Sequence, residues 1–339
     1  MSSITIRHLA ENRSLFAPSA GQKRLDADIG HLLQLLEKRW PQRLETVSVA
    51  EARVAPTLTS VLRGLLRDPN DEMGVEMEMR MIPGAAGSLP ARIYRPAGVE
   101  AKGPIVLYLH GGGFVLGSLE GSDPAPRALA RRLGSVVVAA HCRQAPEHVF
   151  PAAHDDAVAV WRWLVEAARG LGGDAGQMAI VGDGSGGNLA LHIAFSAAGA
   201  RVPGPRHLGL VSPMVGNDRG LSSSVENRAS LPVSSATVEW CLSLYARDAR
   251  DLSTPQLNPI DRQDLASLPA TTVILPEWDP LRTEGELFTQ ALRRSGVWVD
   301  SLVYDGVTHG FFELPAVVNK ALFAHSQVAR NILASCQRD

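Results

Sequence analysis

Short apolar runs recur through the second two-thirds of the chain, near residues 104–109, 135–140, 177–182, 207–212, 271–276 and 298–304. Runs of this length bounded by glycine, proline and polar residues fit strands buried on both faces, and segments of helical character lie between them. The alternation predicts an α/β fold, a mostly parallel sheet covered by helices on both faces. Upstream the pattern changes. Val75, Met77, Met79 and Met81 alternate with polar residues, which predicts a strand over 75–82, with Ala91–Tyr94 as its hairpin partner across the turn-rich Pro83–Pro90. Residues 1–70 are helical in pattern, notably Asp26–Trp40 (Ile29, Leu32, Leu33, Leu35, Leu36) and Ala50–Leu66. Val215–Asp261 is an excursion between two strands and contains the helix-like stretch Ser235–Ala246.

One junction carries most of the chemical information. Gln177–Val181 is an apolar strand ending in Gly182-Asp183-Gly184-Ser185-Gly186-Gly187-Asn188, and Leu189 to about Ala198 has high helix propensity. Strand, tight turn and helix are the setting of a nucleophile elbow, G-x-S-x-G, whose small residues two before and two after the nucleophile let the turn close. Gly182 and Gly186 are the pair at that spacing, so the nucleophile slot falls on Gly184. Ser185 would need a small residue at 183 and has Asp183. A glycine-rich βα loop can also cradle a phosphate, and the junction alone leaves both readings open; the rest of the chain favours the elbow.

His110-Gly111-Gly112-Gly113-Phe114 follows the strand at 104–109. Acyl transfer builds negative charge on a carbonyl oxygen, and consecutive glycines let backbone N–H groups approach it, so this loop is a candidate oxyanion hole as well as a flexible loop. Asp279 lies at the end of the 271–276 strand region, before Pro280. His309 lies in a glycine-flanked loop after the last strand, a position none of the chain's other histidines occupies. Acid and then histidine after the elbow is the order a hydrolase triad needs.

With these motifs in place the chain resembles the hormone-sensitive-lipase family of α/β-hydrolases, the bacterial carboxylesterases with a His-Gly-Gly-Gly loop. The resemblance runs from about residue 75 to the C-terminus. It rests on His110–Phe114, Arg143–His148, Phe150–Ala153 with Asp155 and Asp156, Gly182–Asn188, Asp279–Arg282 with Glu284 and Gly285, and His309–Phe311. It implies an oxyanion hole from the N–H groups of Gly112, Gly113 and Ser185, with Asp279 orienting His309 as general base. It also implies that residues 1–70 and 215–261 form a small helical cap on a catalytic domain spanning 71–339, with Phe114, Trp240, Leu244 and Tyr245 as candidate pocket residues; the last three also read as core on a helical face. A homodimer through the edge strand at 298–304 belongs to the same implication. The chain departs from the family at Gly184, where serine is expected, and at His141-Cys142, where an aspartate and a tyrosine are usual.

Composition narrows the reading further. The 339 residues carry a net charge of −2, which gives no reason to expect nucleic acid or an anionic membrane as partner. Three scattered cysteines, Cys142, Cys241 and Cys336, suit a reducing, cytoplasmic compartment, and Met1–Phe16 lacks the apolar segment of a signal peptide. No run approaches a membrane span, and no dinucleotide or Walker motif implies a cofactor. His154-Asp155-Asp156 looks like a metal cluster, but helix-dipole placement of the two carboxylates is the simpler reading. The expected function is therefore carboxylic ester hydrolysis on a small-molecule ester, impaired or abolished by Gly184. Two alternatives remain: a non-catalytic acyl-binding protein, and a lyase-type enzyme using Asp279, His309 and the oxyanion hole.

Overall fold

The computed structural model describes residues 24–65, 74–98, 103–200 and 202–336. Helices α1 (Ala27–Arg39), α2 (Val49–Val54) and α3 (Leu58–Arg63) precede a hairpin of β1 (Val75–Gly84) and β2 (Gly87–Pro96). Strands β3 (Ile105–Leu109) and β4 (Val137–Ala140) flank α4 (Pro124–Leu133), and α5 (Ala152–Ala167) leads to β5 (Met178–Asp183). Then come α6 (Ser185–Ala198) and β6 (His207–Val211), followed by the excursion with α7 (Ser222–Glu226), α8 (Ser235–Tyr245) and α9 (Ala249–Leu252). Strand β7 (Ala270–Trp278), α10 (Arg282–Arg294), β8 (Val299–Thr308) and α11 (Asn319–Cys336) complete the order.

The strands form one sheet in the order β1-β2-β4-β3-β5-β6-β7-β8, antiparallel from β1 to β4 and parallel from β4 to β8. Period-two alternation sorts its side chains. Ile105, Leu107 and Leu109 join the core under α5, α6, α8 and α10, whereas Val106 and Tyr108 join the core under α1, α3, α4 and α11. This is an α/β-hydrolase fold, as expected.

Three boundaries differ from the sequence expectation. The hairpin turn is only Ala85-Ala86, because Pro83 and Pro90 both sit in paired strands; β1 is the sheet edge and tolerates a proline. The helix expected over Ala50–Leu66 is two helices, since Pro56 forces Ala55 into an extended conformation (ψ 144°) and Thr57 caps a new start. Leu66 and residues 1–23 lie outside the described residues. Strand β8 continues past Tyr304 to Thr308, because an irregularity between Pro276 and Trp278 restores its pairing. His309 is thereby fixed at a strand end. The carboxyl ends of β3, β5, β7 and β8 bring His110, Gly184, Asp279 and His309 to one rim of the sheet.

Candidate active site

The turn after β5 is built by close backbone approach. A Cβ on Gly182 would run into the Gly186 carbonyl, and one on Gly186 into the Leu109 carbonyl, so both positions require glycine. Between them Gly184 adopts φ 51° and ψ −115°, the left-handed side of backbone space that costs a residue with a side chain. Its N–H donates to Val211 O (2.9 Å) and its carbonyl accepts from Met214 N–H (3.0 Å), tying the turn to the end of β6. A Cβ on Gly184 would lie 3.7 Å from His309 Cε1, 3.9 Å from His309 Nε2 and 3.8 Å from Gly111 Cα. These are ordinary van der Waals contacts, so there is room for a side chain aimed at the imidazole.

His309 Nδ1 donates to Asp279 Oδ2 at 3.0 Å, and Asp279 is fully buried. The other Asp279 oxygen accepts the Leu281 N–H at 2.8 Å, which fixes the carboxylate at the start of α10. With Nδ1 protonated, Nε2 of the neutral ring is the nitrogen turned toward residue 184. Burial disfavours the imidazolium, but the charge and hydrogen bond of Asp279, with the nearby Asp183 carboxyl, outweigh it and raise the His309 pKa to about 9. Burial in turn pushes Asp183 up to about 6, against the pull of His309. Asp183 Oδ1 has no hydrogen-bond partner among the described residues. Asn188 anchors the backbone of the turn, donating to Met214 O (3.0 Å), whereas Asp183 acts electrostatically on His309, a role its place in the sequence did not suggest. Glu284, one turn into α10, accepts the Val215 N–H (3.0 Å) and pairs with Arg219 (3.0 Å), anchoring the start of the excursion.

The glycine loop faces the same centre. Gly112 (φ 116°) and Gly113 (φ 62°) have conformations that favour glycine, and a Cβ on Gly113 would fall 2.5 Å from Cys241 Cβ in α8. Among the described residues no protein acceptor takes the N–H of Gly112 or Gly113, and Ser185, first residue of α6, carries one of the N–H groups a helix start leaves free. The Ser185 hydroxyl accepts from Phe114 N–H (3.3 Å), which turns it to the glycine loop. His110 Nδ1 donates to Gly111 O (2.7 Å), so its Nε2 accepts from His141 Nδ1 (2.9 Å). The unusual histidine at 141 thus braces the loop, and burial, with His110 and Arg53 nearby, lowers its pKa to about 4, which keeps the pair neutral.

The candidate pocket residues divide. Trp240 and Leu244, four apart on α8, are half-buried on one face. Tyr245 is fully buried on the inward face with Cys241 and stacks on Phe114 at 4.2 Å, and Phe114 in turn lines a cavity with His110, Gly111 and Ser185. Residues 244 and 245 point about 100° apart on a helix, which gives Tyr245 the core position that was also open to it. Asp156 also departs from its dipole reading: it is buried and accepts from Arg143 Nε (2.8 Å) and Ala85 N–H (3.0 Å). No group of His, Cys, Asp and Glu among the described residues is arranged to hold a metal.

A family model described as alpha/beta hydrolase fold matches residues 106–313. The chain is 32% identical over 301 residues to the ethyl acetate hydrolase of Pseudomonas putida, covering 88% of this chain and 95% of that protein. It is 32% identical over 303 residues to carboxylesterase NlhH of Mycobacterium tuberculosis, covering 87% and 92%. Among solved structures, the hyperthermophilic esterase of the archaeon Pyrobaculum calidifontis superposes with a TM-score of 0.82 at 33% identity, covering 92% of this chain and 98% of that one. A thermostable esterase from Pseudomonas putida gives 0.85 at 26% identity, covering 94% and 100%.

Proposed function

Since the chain belongs to the α/β-hydrolase family, in its carboxylesterase branch of hormone-sensitive-lipase type, we propose that it retains an esterase site complete except for the nucleophile's oxygen. The observation that carries this reading is the position of a Cβ at residue 184, in open contact with the His309 ring. In a serine hydrolase the hydroxyl at that position attacks the ester carbonyl while the imidazole takes its proton. The C–O bond to the alcohol then breaks as the imidazolium returns that proton to the leaving oxygen, and water hydrolyses the acyl-enzyme by the same route. Here His309 Nε2 is the base, Asp279 orients it, and the N–H groups of Gly112, Gly113 and Ser185 receive the oxyanion.

Without an oxygen at 184 no acyl-enzyme forms there, and the loss of a triad serine costs about 10⁶ in turnover. The residual comes from binding and the oxyanion hole. Residues 24–65 and 215–261 act as the cap, joined where Glu45 accepts from Thr237 of α8 (2.8 Å), and the half-buried Trp240 and Leu244 face the acyl or alcohol group of a short-to-medium ester.

The test is turnover of a p-nitrophenyl ester panel by the chain beside its Gly184→Ser variant. The expected outcome is little or no turnover by the former and at least a 10³-fold gain in the latter, part of the roughly 10⁶ at stake. A folded, inactive variant would remove the esterase reading and bring the acyl-binding and lyase-type alternatives forward.

A further inference from the structure

We propose that Tyr245, His154 and Asn188 form a positioning relay through which helix α8 sets the geometry of the glycine loop and the elbow; the proposal rests on the esterase reading of the site. None of the three touches the reacting atoms. His154 is fully buried in α5, with Nε2 2.9 Å from Asn188 Oδ1 and Nδ1 2.8 Å from the Tyr245 hydroxyl. The direction of each bond follows from its neighbours. Asn188 Nδ2 donates to Met214 O at 3.0 Å, so its Oδ1 is the acceptor turned to His154. His154 Nε2 is therefore the protonated nitrogen. Burial, helped by His192, lowers the ring's pKa to about 3, so the ring is neutral and its Nδ1 accepts from the Tyr245 O–H.

The relay thus runs from Tyr245 through His154 and Asn188 to Met214, whose N–H holds the Gly184 carbonyl at 3.0 Å. At its other end the Tyr245 ring stacks on Phe114 at 4.2 Å and 17°. Phe114 is one of two described non-glycine residues with positive φ, at 65°, and its N–H donates to Ser185 Oγ at 3.3 Å. A side chain holds that conformation only where its surroundings impose it. The stack on Tyr245 imposes it here, assisted by Ala145 N–H donating to the Phe114 carbonyl at 2.9 Å. One residue of the excursion therefore constrains both the glycine loop and the turn that carries position 184.

Two measurements decide the proposal. In the Gly184→Ser background, adding Tyr245→Phe keeps the ring stack and deletes the hydroxyl; kcat should fall about tenfold, the equivalent of 1.4 kcal/mol, with KM changed less than twofold. In the chain as it stands, Tyr245→Phe and His154→Gln should each speed amide exchange in residues 111–116 and 184–188 while protection in β3 and β6 stays unchanged. A purely structural role would raise exchange throughout and leave kcat and KM unsplit. Unchanged exchange at both segments overturns the relay whether or not Gly184→Ser is active, and inactivity of Gly184→Ser alone counts against the esterase reading and not against the relay. If Tyr245→Phe does not fold, the His154→Gln exchange result decides by the same criteria.

Discussion

At Gly184 the backbone already has the conformation a nucleophile needs, φ 51°, and the residue there bears it without strain. Gly184→Ser should therefore lower folding stability by about 1–3 kcal/mol, the usual cost of a side chain in this region. Because the Cβ meets its neighbours at 3.7–3.9 Å, no steric term adds to it. A urea midpoint comparison measures this; an unchanged or raised midpoint would contradict the strain argument. The same variant should show a pH profile set by His309. Only the neutral ring accepts a proton, and its pKa is raised to about 9, so kcat/KM should climb with pH, reach half its maximum near 9 and level off only above that. Asp183→Asn removes one of the charges that hold the imidazolium and should move the midpoint to lower pH. The role of Asp183 was not legible in the sequence, because it depends on how closely the ends of β5 and β8 approach across the sheet. The register of the elbow was legible from the spacing of Gly182 and Gly186, and only the first of these is dictated locally, by the Gly186 carbonyl; Gly186 is dictated by the Leu109 carbonyl of the neighbouring strand. Ser185→Ala in the Gly184→Ser background should cost less than tenfold, far below the roughly 10⁶ of a lost nucleophile, since that hydroxyl only receives Phe114 N–H. Loss of all turnover would make Ser185 a participant.

Among the elements, α2 acts on the site from a distance. Arg53 donates Nε to Val115 O (3.0 Å) and Nη2 to Ala145 O (2.7 Å), and pairs with Glu147 (2.7 Å), so it fastens the N-terminal helices to the segment just after the glycine loop. Arg53→Ala should lower stability by about 1–3 kcal/mol through the carbonyls it leaves unpaired and reduce kcat of the Gly184→Ser variant; thermal unfolding and steady-state kinetics report the two effects. Full retention of both would mean that the strap is dispensable. The sequence marked α2 and α3 as helical, and the expectation of one continuous helix followed the apolar spacing across Pro56, although the proline itself marks the break. Helix α8 was placed almost residue for residue. Its faces were left open between pocket and core because it is apolar on two sides: Tyr245 turns inward onto Phe114 while Trp240 and Leu244 stay half-buried. A periodicity cannot rank two apolar faces; the packing of α8 over the glycine loop does.

At the scale of the whole molecule, the alternation of apolar runs was enough to give the sheet its strands, and the family resemblance its fold; their lateral order depends on long-range pairing that no local pattern encodes. Strand β8 is an edge, and Trp298, Leu302 and Val303 beside or on it are 52%, 49% and 39% exposed. An apolar edge of this kind needs covering, and we propose that a second copy of the chain covers it. Light scattering at micromolar concentration should give a dimer mass that Trp298→Lys reduces to that of a monomer; a monomeric parent would end the proposal. No helix among the described residues is long and apolar enough to cross a membrane. The measurement that bears most directly on the account is covalent labelling by a p-nitrophenyl phosphonate ester, with the adduct mapped by mass spectrometry. The chain as it stands should take up no label at residues 182–188, and Gly184→Ser should take up one equivalent at position 184. Label on Ser185 of the unmodified chain, or none on the variant, would contradict it.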